Sequence, residues 1–164
     1  MTLRRHILVI CILLVATGAV RPEMSLGQET TQTPLEILRS KAPGAMWDEG
    51  ISVRADVTCD GVADVVMVGH ETNAAWIGVV PGLSSEQSEP IASSFPIGTH
   101  SQGSFCSKPV KIEAYPITCE DEDGALPGCQ PVKDCQAFSV IDDACDSFHF
   151  YWDSDQKRLT WWRR

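Results

Sequence analysis

Three aspartates recur at every fourth position in RADVTCDGVADVVMVG, residues 54–69: Asp56, Asp60 and Asp64. Carboxylates gathered in one short loop are hard, anionic oxygen donors, and the chemistry they suit is the binding of a hard cation. An ion of calcium's size takes roughly six to eight oxygens at about 2.3–2.6 Å. Counted from Asp56 as position 1, oxygens fall at alternate positions: Thr58 at 3, Asp60 at 5, the backbone carbonyl of Val62 at 7 and Asp64 at 9. Gly61 permits the sharp turn such a loop needs. The EF-hand and dockerin forms are excluded, because position 12 is Met67 where they require a bidentate glutamate. A plain Asp60-Gly61 hairpin turn is the competing reading. That turn gives Asp56 and Asp64 no task, and crowded carboxylates without a cation repel one another.

The nine-residue pattern running into the apolar strand VVMV resembles the calcium loop of FG-GAP and VCBS-type repeats, found in integrin-like propeller blades. The resemblance implies that Asp56, Asp60, Asp64 and the Val62 carbonyl hold calcium. Thr58 departs from the family pattern, offering a neutral hydroxyl where a carboxylate is usual, and Cys59 is also atypical. With one carboxylate fewer, the expected affinity is that of extracellular modules, on the order of 10⁻⁴ to 10⁻³ M, and the ion's role is structural. The loop occurs once, so a repeat propeller is not expected. The final hairpin, CDSFHFYW to WWRR, is similar to that of exported bacterial single-domain proteins carrying one such loop.

Other residues with chemical potential are weaker candidates. The acidic run Glu120–Asp123 lies between Cys119 and Cys129 and reads as a solvated disulfide loop rather than a second cation site. His70, His100 and His149 have no nucleophile in a recognisable setting, and SQGS at 101–104 is not a nucleophile elbow. No catalytic residue is assigned, and an enzyme is the less favoured reading. Tyr151 and Trp162 alternate with the core-facing Phe148, Phe150 and Trp152, so they form a possible aromatic platform for a glycan or a protein.

These groups must be positioned by a chain that begins with an export signal. Arg4, Arg5 and His6 precede the apolar run 7–20, and small residues suited to cleavage follow, so residues 1–27 read as a signal peptide. The run is too short for the ~20 residues that span a bilayer. Without residues 1–27 the chain keeps 10 basic and 21 acidic residues, a formal charge of −11. Such a polyanion disfavours nucleic acid and suits cations. Six cysteines then remain, Cys59, Cys106, Cys119, Cys129, Cys135 and Cys145, with no CxxC pair. An even count in a small exported domain reads as three disulfides. Sequential pairing is the simplest expectation: Cys59–Cys106, Cys119–Cys129 and Cys135–Cys145.

The remaining signals set the fold class. TPLE at 33–36 is a capping box that starts a short helix, and Pro43-Gly44 ends it. Ile51, Val53 and Ala55 alternate, VVMV reads as a strand buried on both faces, and AAWIGVV, PVKIEAY, AFSVI and the terminal hairpin read as further strands. In PVKIEAY, Val110, Ile112 and Ala114 are expected inward. The expectation is a mainly β protein: a small antiparallel β domain over residues 51–164, preceded by a leader and short helix over 28–50. Its expected role is that of an exported, calcium-stabilised domain with a binding or structural function. The alternatives are a carbohydrate- or protein-binding module using the terminal aromatic hairpin, and a metal-dependent hydrolase.

Overall fold

A computed structural model describes residues 32–83, 89–98 and 101–163. The signal assigned to residues 1–27 and the candidate His100 lie outside these residues.

The helix α1 spans Pro34–Lys41 and starts as its sequence dictates. The Thr33 hydroxyl accepts from Glu36 N at 3.3 Å, and Glu36 Oε2 accepts from Thr33 N at 2.7 Å, so two otherwise orphaned donors are satisfied. At its end Ala42 N donates to Leu38 O at 2.9 Å before Pro43 stops the ladder.

The strands form two antiparallel four-stranded sheets and one small hairpin. In the first sheet β1 (Met46–Ala55), β2 (Asp64–His70), β3 (Ala74–Val80) and β4 (Ile91–Pro96) pair in chain order. In the second, β5 (Lys111–Pro116) lies at one edge beside β8 (Gln136–Ile141), followed by β9 (Phe148–Asp153) and β10 (Arg158–Arg163). The strands β6 (Glu120–Asp121) and β7 (Gly124–Ala125) make the hairpin. The chain is mainly β, as its sequence reads. The first strand begins at Met46, so residues 46–50 belong to the sheet rather than to a leader. The sequence pattern of IASSFP gave no warning of β4, in which Phe95 alone is buried.

The sheets pack face to face. Val66, Val68, Ile77, Val79 and Phe95 of the first meet Phe138, Val140, Phe148 and Phe150 of the second. Phe95 sits edge-on to Phe105, Phe148 and Phe150 with ring centroids 5.3–5.8 Å apart. The opposite face of the first sheet is covered by α1, where Leu38, Trp47, Met67 and Val80 are buried together. This explains the unbroken VVMV run: β2 has apolar neighbours on both sides. Trp47 and Leu38 lie so close to the sheet that a Cβ on Gly78 would stand 2.6 Å from Leu38 Cδ2 and 2.7 Å from Trp47 Cζ3. Ile112 and Ala114 face the core as expected, whereas Val110 precedes β5 and is 50% exposed.

The disulfides are Cys59–Cys135, Cys106–Cys145 and Cys119–Cys129. Only the last follows sequential pairing. The other two clamp opposite ends of β8: Cys135 joins its start to the β1–β2 loop, and Cys145, just beyond its end, joins the β4–β5 connection. Pairing is decided by which strand ends the packed sheets bring together, and sequence proximity carries no such information. Three disulfides place the folded chain in an oxidising environment. Among the described residues, no helix is long and apolar enough to cross a membrane.

Candidate functional site

The acidic loop leaves β1 at Ala55 and re-enters the sheet at Asp64, which pairs directly with Ala55. Asp64 is completely buried, and its carboxylate accepts three backbone N–H bonds. Val57 N and Thr58 N donate to Oδ2 at 3.0 and 2.9 Å, and Gly82 N donates to Oδ1 at 3.1 Å. Asp56 closes the turn from the other side, accepting from Asp60 N at 3.1 Å and Gly61 N at 2.8 Å. Asp60 Oδ1 accepts from Val62 N at 2.9 Å. The turn needs left-handed backbone at Cys59 (φ 61°) and Gly61 (φ 84°). Gly61 has open space around its missing Cβ, so conformation, not crowding, calls for glycine there.

The loop is fastened to the second sheet by three separate means. Val57 is buried in the core between the sheets, Gln136 N donates to Asp56 O at 2.9 Å, and Cys59 is bonded to Cys135. Burial raises the pKa of Asp64, and the N–H bonds from Thr58, Gly82 and Val57 only partly offset that effect. Thr58 is itself 5% exposed. Its hydroxyl oxygen is buried without an aligned hydrogen-bond partner, although it lies near enough to the Asp64 carboxyl to favour the ionised acid.

The structure therefore brings Asp56, Thr58, Asp60, Val62 and Asp64 together in one tight turn, but it engages each carboxylate with backbone N–H groups. Among the described residues, no three His, Cys, Asp or Glu side chains converge as a metal-binding group. The expectation that a hairpin leaves Asp56 and Asp64 idle is corrected. Both close the loop by accepting backbone N–H groups: Asp64 satisfies those of buried Val57 and Thr58, and Asp56 ties down Asp60 and the exposed Gly61.

Two further aspartates do the same work and were not singled out from the sequence. Asp142, 3% exposed beyond the end of β8, accepts from Cys106 N at 2.6 Å and Ser107 N at 3.2 Å on Oδ2. On Oδ1 it accepts from Ala144 N at 3.1 Å and Cys145 N at 3.0 Å. Burial pushes its pKa up, but the donors from Ser107, Ala144, Cys145 and Cys106 outweigh burial, and the carboxyl titrates below its ordinary value. At the end of β9, Asp153 Oδ1 accepts from Asp155 N at 3.1 Å and Gln156 N at 2.9 Å. The signal that marks them is an aspartate at the end of an apolar strand, followed by turn residues, as in VIDDAC and YWDSDQ.

The aromatic platform is corrected at Tyr151. Its side chain is 4% exposed and its hydroxyl donates to Pro127 O at 2.9 Å. The Cys119–Cys129 segment, with Leu126 and Ile117, covers this part of the sheet's outer face. Trp162 remains half-buried, stacked on His149 with centroids 4.8 Å apart. The Tyr115 hydroxyl lies 2.9 Å from His149 Nδ1. In the acidic hairpin Glu120, Glu122 and Asp123 are exposed, consistent with a solvated loop. His70 ends β2, and its Nδ1 is buried without a hydrogen-bond partner. Burial, followed by the charge of Lys108, lowers the pKa of this histidine.

Comparison of the chain with known proteins gives no likeness to argue from: no family model, no curated protein and no solved structure matches it.

Proposed function

We propose that this protein is an exported β-sandwich module with a binding or structural role, stabilised by a weakly held calcium ion in the Asp56–Asp64 loop. The observation that carries this reading is the gathering of the Asp56, Asp60 and Asp64 carboxylates with the buried Thr58 hydroxyl in one nine-residue turn. Three carboxylates gathered in one turn disfavour one another's ionised forms, and a cation relieves that repulsion. The donor chemistry suits a hard ion, with Asp56, Asp60 and Asp64 as carboxylates and the Val62 carbonyl and Thr58 hydroxyl as neutral oxygens. Each carboxylate has about four lone-pair positions, so the two N–H bonds of Asp56 and the three of Asp64 do not saturate them. The ion must share these oxygens with backbone donors, which favours millimolar rather than tighter binding.

The test is thermal melting with EDTA and with calcium from 0.1 to about 10 mM. If the dissociation constant is about 1 mM, 10 mM calcium stabilises the fold by about 1.4 kcal/mol. Asp60→Ala is expected to abolish the response. An unshifted melting curve in the wild type refutes the calcium claim, and an undiminished response in Asp60→Ala places the ion elsewhere. A second reading, a glycan or protein partner on the outer face of the second sheet, is favoured by the half-buried Trp162. Quenching of tryptophan fluorescence by a glycan panel tests it, and loss of quenching in Trp162→Ala is required.

A further inference from the structure

The three disulfides differ in their surroundings. Cys135 is 3% exposed at the edge of the core, and Cys119 and Cys129 are both half-buried. Cys145 alone among the six is an exposed residue, and its partner Cys106 is half-buried. Beside Cys106 stands Arg163 from β10, with Nη2 at 4.0 Å from Sγ. The guanidinium is held there: Nε donates to Asp146 O at 2.8 Å, Nη1 donates to Ser104 O, and Cζ lies 4.7 Å from the centroid of the Phe148 ring. A fixed cation next to a sulfur favours the thiolate over the thiol. Asp142 is the opposing charge on this site, and four backbone N–H groups hold its carboxylate.

We propose that Cys106–Cys145 is a thiol-exchange site, attacked at Cys145 by an external dithiol, with Cys106 as the leaving thiolate. In the first step a thiolate of the reductant bonds to Cys145 Sγ, the Cys106–Cys145 bond breaks, and its electron pair stays on Cys106 Sγ beside Arg163. In the second step the reductant's other thiolate attacks its own sulfur in the mixed disulfide and expels Cys145 as a thiolate. The dithiol leaves oxidised by two electrons, and the protein keeps both sulfurs reduced. Exchange runs faster when the leaving thiol is more acidic and the attacked sulfur is accessible, and this pair combines both conditions.

The same neighbours explain why opening need not unfold the chain. Asp142 bonds to Cys106 N and Ser107 N on one segment and to Ala144 N and Cys145 N on the other. Ser107 Oγ also donates to Asp142 O at 2.6 Å, and Arg163 bridges Ser104 and Asp146. These bonds hold the two segments together after the covalent link is gone. The structure thus sets apart one link that can open and close on a standing fold.

The experiment is graded reduction of the purified protein with dithiothreitol at pH 7, followed by alkylation and mass-spectrometric mapping, with near-ultraviolet circular dichroism in parallel. Cys106 and Cys145 are expected to be alkylated first, with the tertiary signal kept. Opening of another pair first, or loss of the tertiary signal together with this pair, overturns the proposal. Arg163→Gln is expected to slow opening roughly threefold to tenfold, and Arg163→Lys to restore it to within about twofold. Opening of Arg163→Gln at the wild-type rate or faster removes Arg163 from the account.

Discussion

Replacing Asp64 by alanine tests whether the acidic loop is held by its carboxylates acting on the backbone. Asp64 is fully buried and receives three N–H donors, from Val57, Thr58 and Gly82. A hydrogen bond to a charged group contributes about 1.5–3 kcal/mol, so three would nominally exceed 4 kcal/mol. Three effects reduce that figure. Burial already penalises the ionised acid, as its raised pKa shows. Gly82 is only half-buried, so water can replace the carboxylate there. Bonds to one acceptor are also not additive. The expected loss in Asp64→Ala is therefore about 3–5 kcal/mol, a large part of the roughly 5–15 kcal/mol that a domain of this kind has. Asp60→Ala removes the N–H bond from Val62 in a part-buried setting and is expected to lose about 1 kcal/mol. The assay is urea unfolding followed by tryptophan fluorescence, with EDTA present so that no cation contributes. Asp64→Asn keeps one carbonyl oxygen and should fall between the two. If Asp64→Ala and Asp60→Ala lose the same stability within about 1 kcal/mol, the carboxylate of Asp64 does not hold the loop and the reasoning fails.

Asp142 makes stability depend on pH in a direction that can be worked out. Its folded pKa lies below the ordinary 3.8, so its contribution is fully present above about pH 4 and is lost as pH falls through the lowered folded value. At pH 6, Asp142→Asn should be less stable than wild type by about 2–3 kcal/mol, and the gap should narrow below pH 3. Urea midpoints measured from pH 2 to pH 7 check this, and a gap that does not change with pH contradicts it. Removing Cys59–Cys135, whose cysteines are 76 residues apart, should cost about 4.5 kcal/mol, against about 2.7 kcal/mol for Cys119–Cys129, which are 10 apart. Paired alanine variants compared in urea should keep that order, and a reversed order would refute the loop-closure account of these disulfides.

Local chemistry made much of the fold legible in the sequence. Thr33, Pro34 and Glu36 determine where α1 starts, because a capping box involves only residues three apart. Ile51, Val53 and Ala55 declare their shared face through strand alternation, and VVMV declares a strand covered on both sides. The even count of six cysteines announced three disulfides. The strand β4 stayed hidden because two serines and a terminal proline mask its one buried residue, Phe95.

What only the tertiary structure decided depends on groups far apart in the chain. Cys59 pairs with Cys135 because sheet packing brings the β1–β2 loop to the start of β8, and no spacing rule encodes that meeting. Tyr151 alternates outward correctly, yet the Cys119–Cys129 segment covers it, so outward on a strand does not mean exposed. The aspartates teach the same lesson about charge. Their type and spacing promised oxygen donors, but which hydrogens they accept is set by where Gly82, Cys106 and Cys145 arrive in space. Strand and helix propensities act over a few residues, whereas the partner of a buried carboxylate or thiol is whatever the packed chain places within about 3 Å of it.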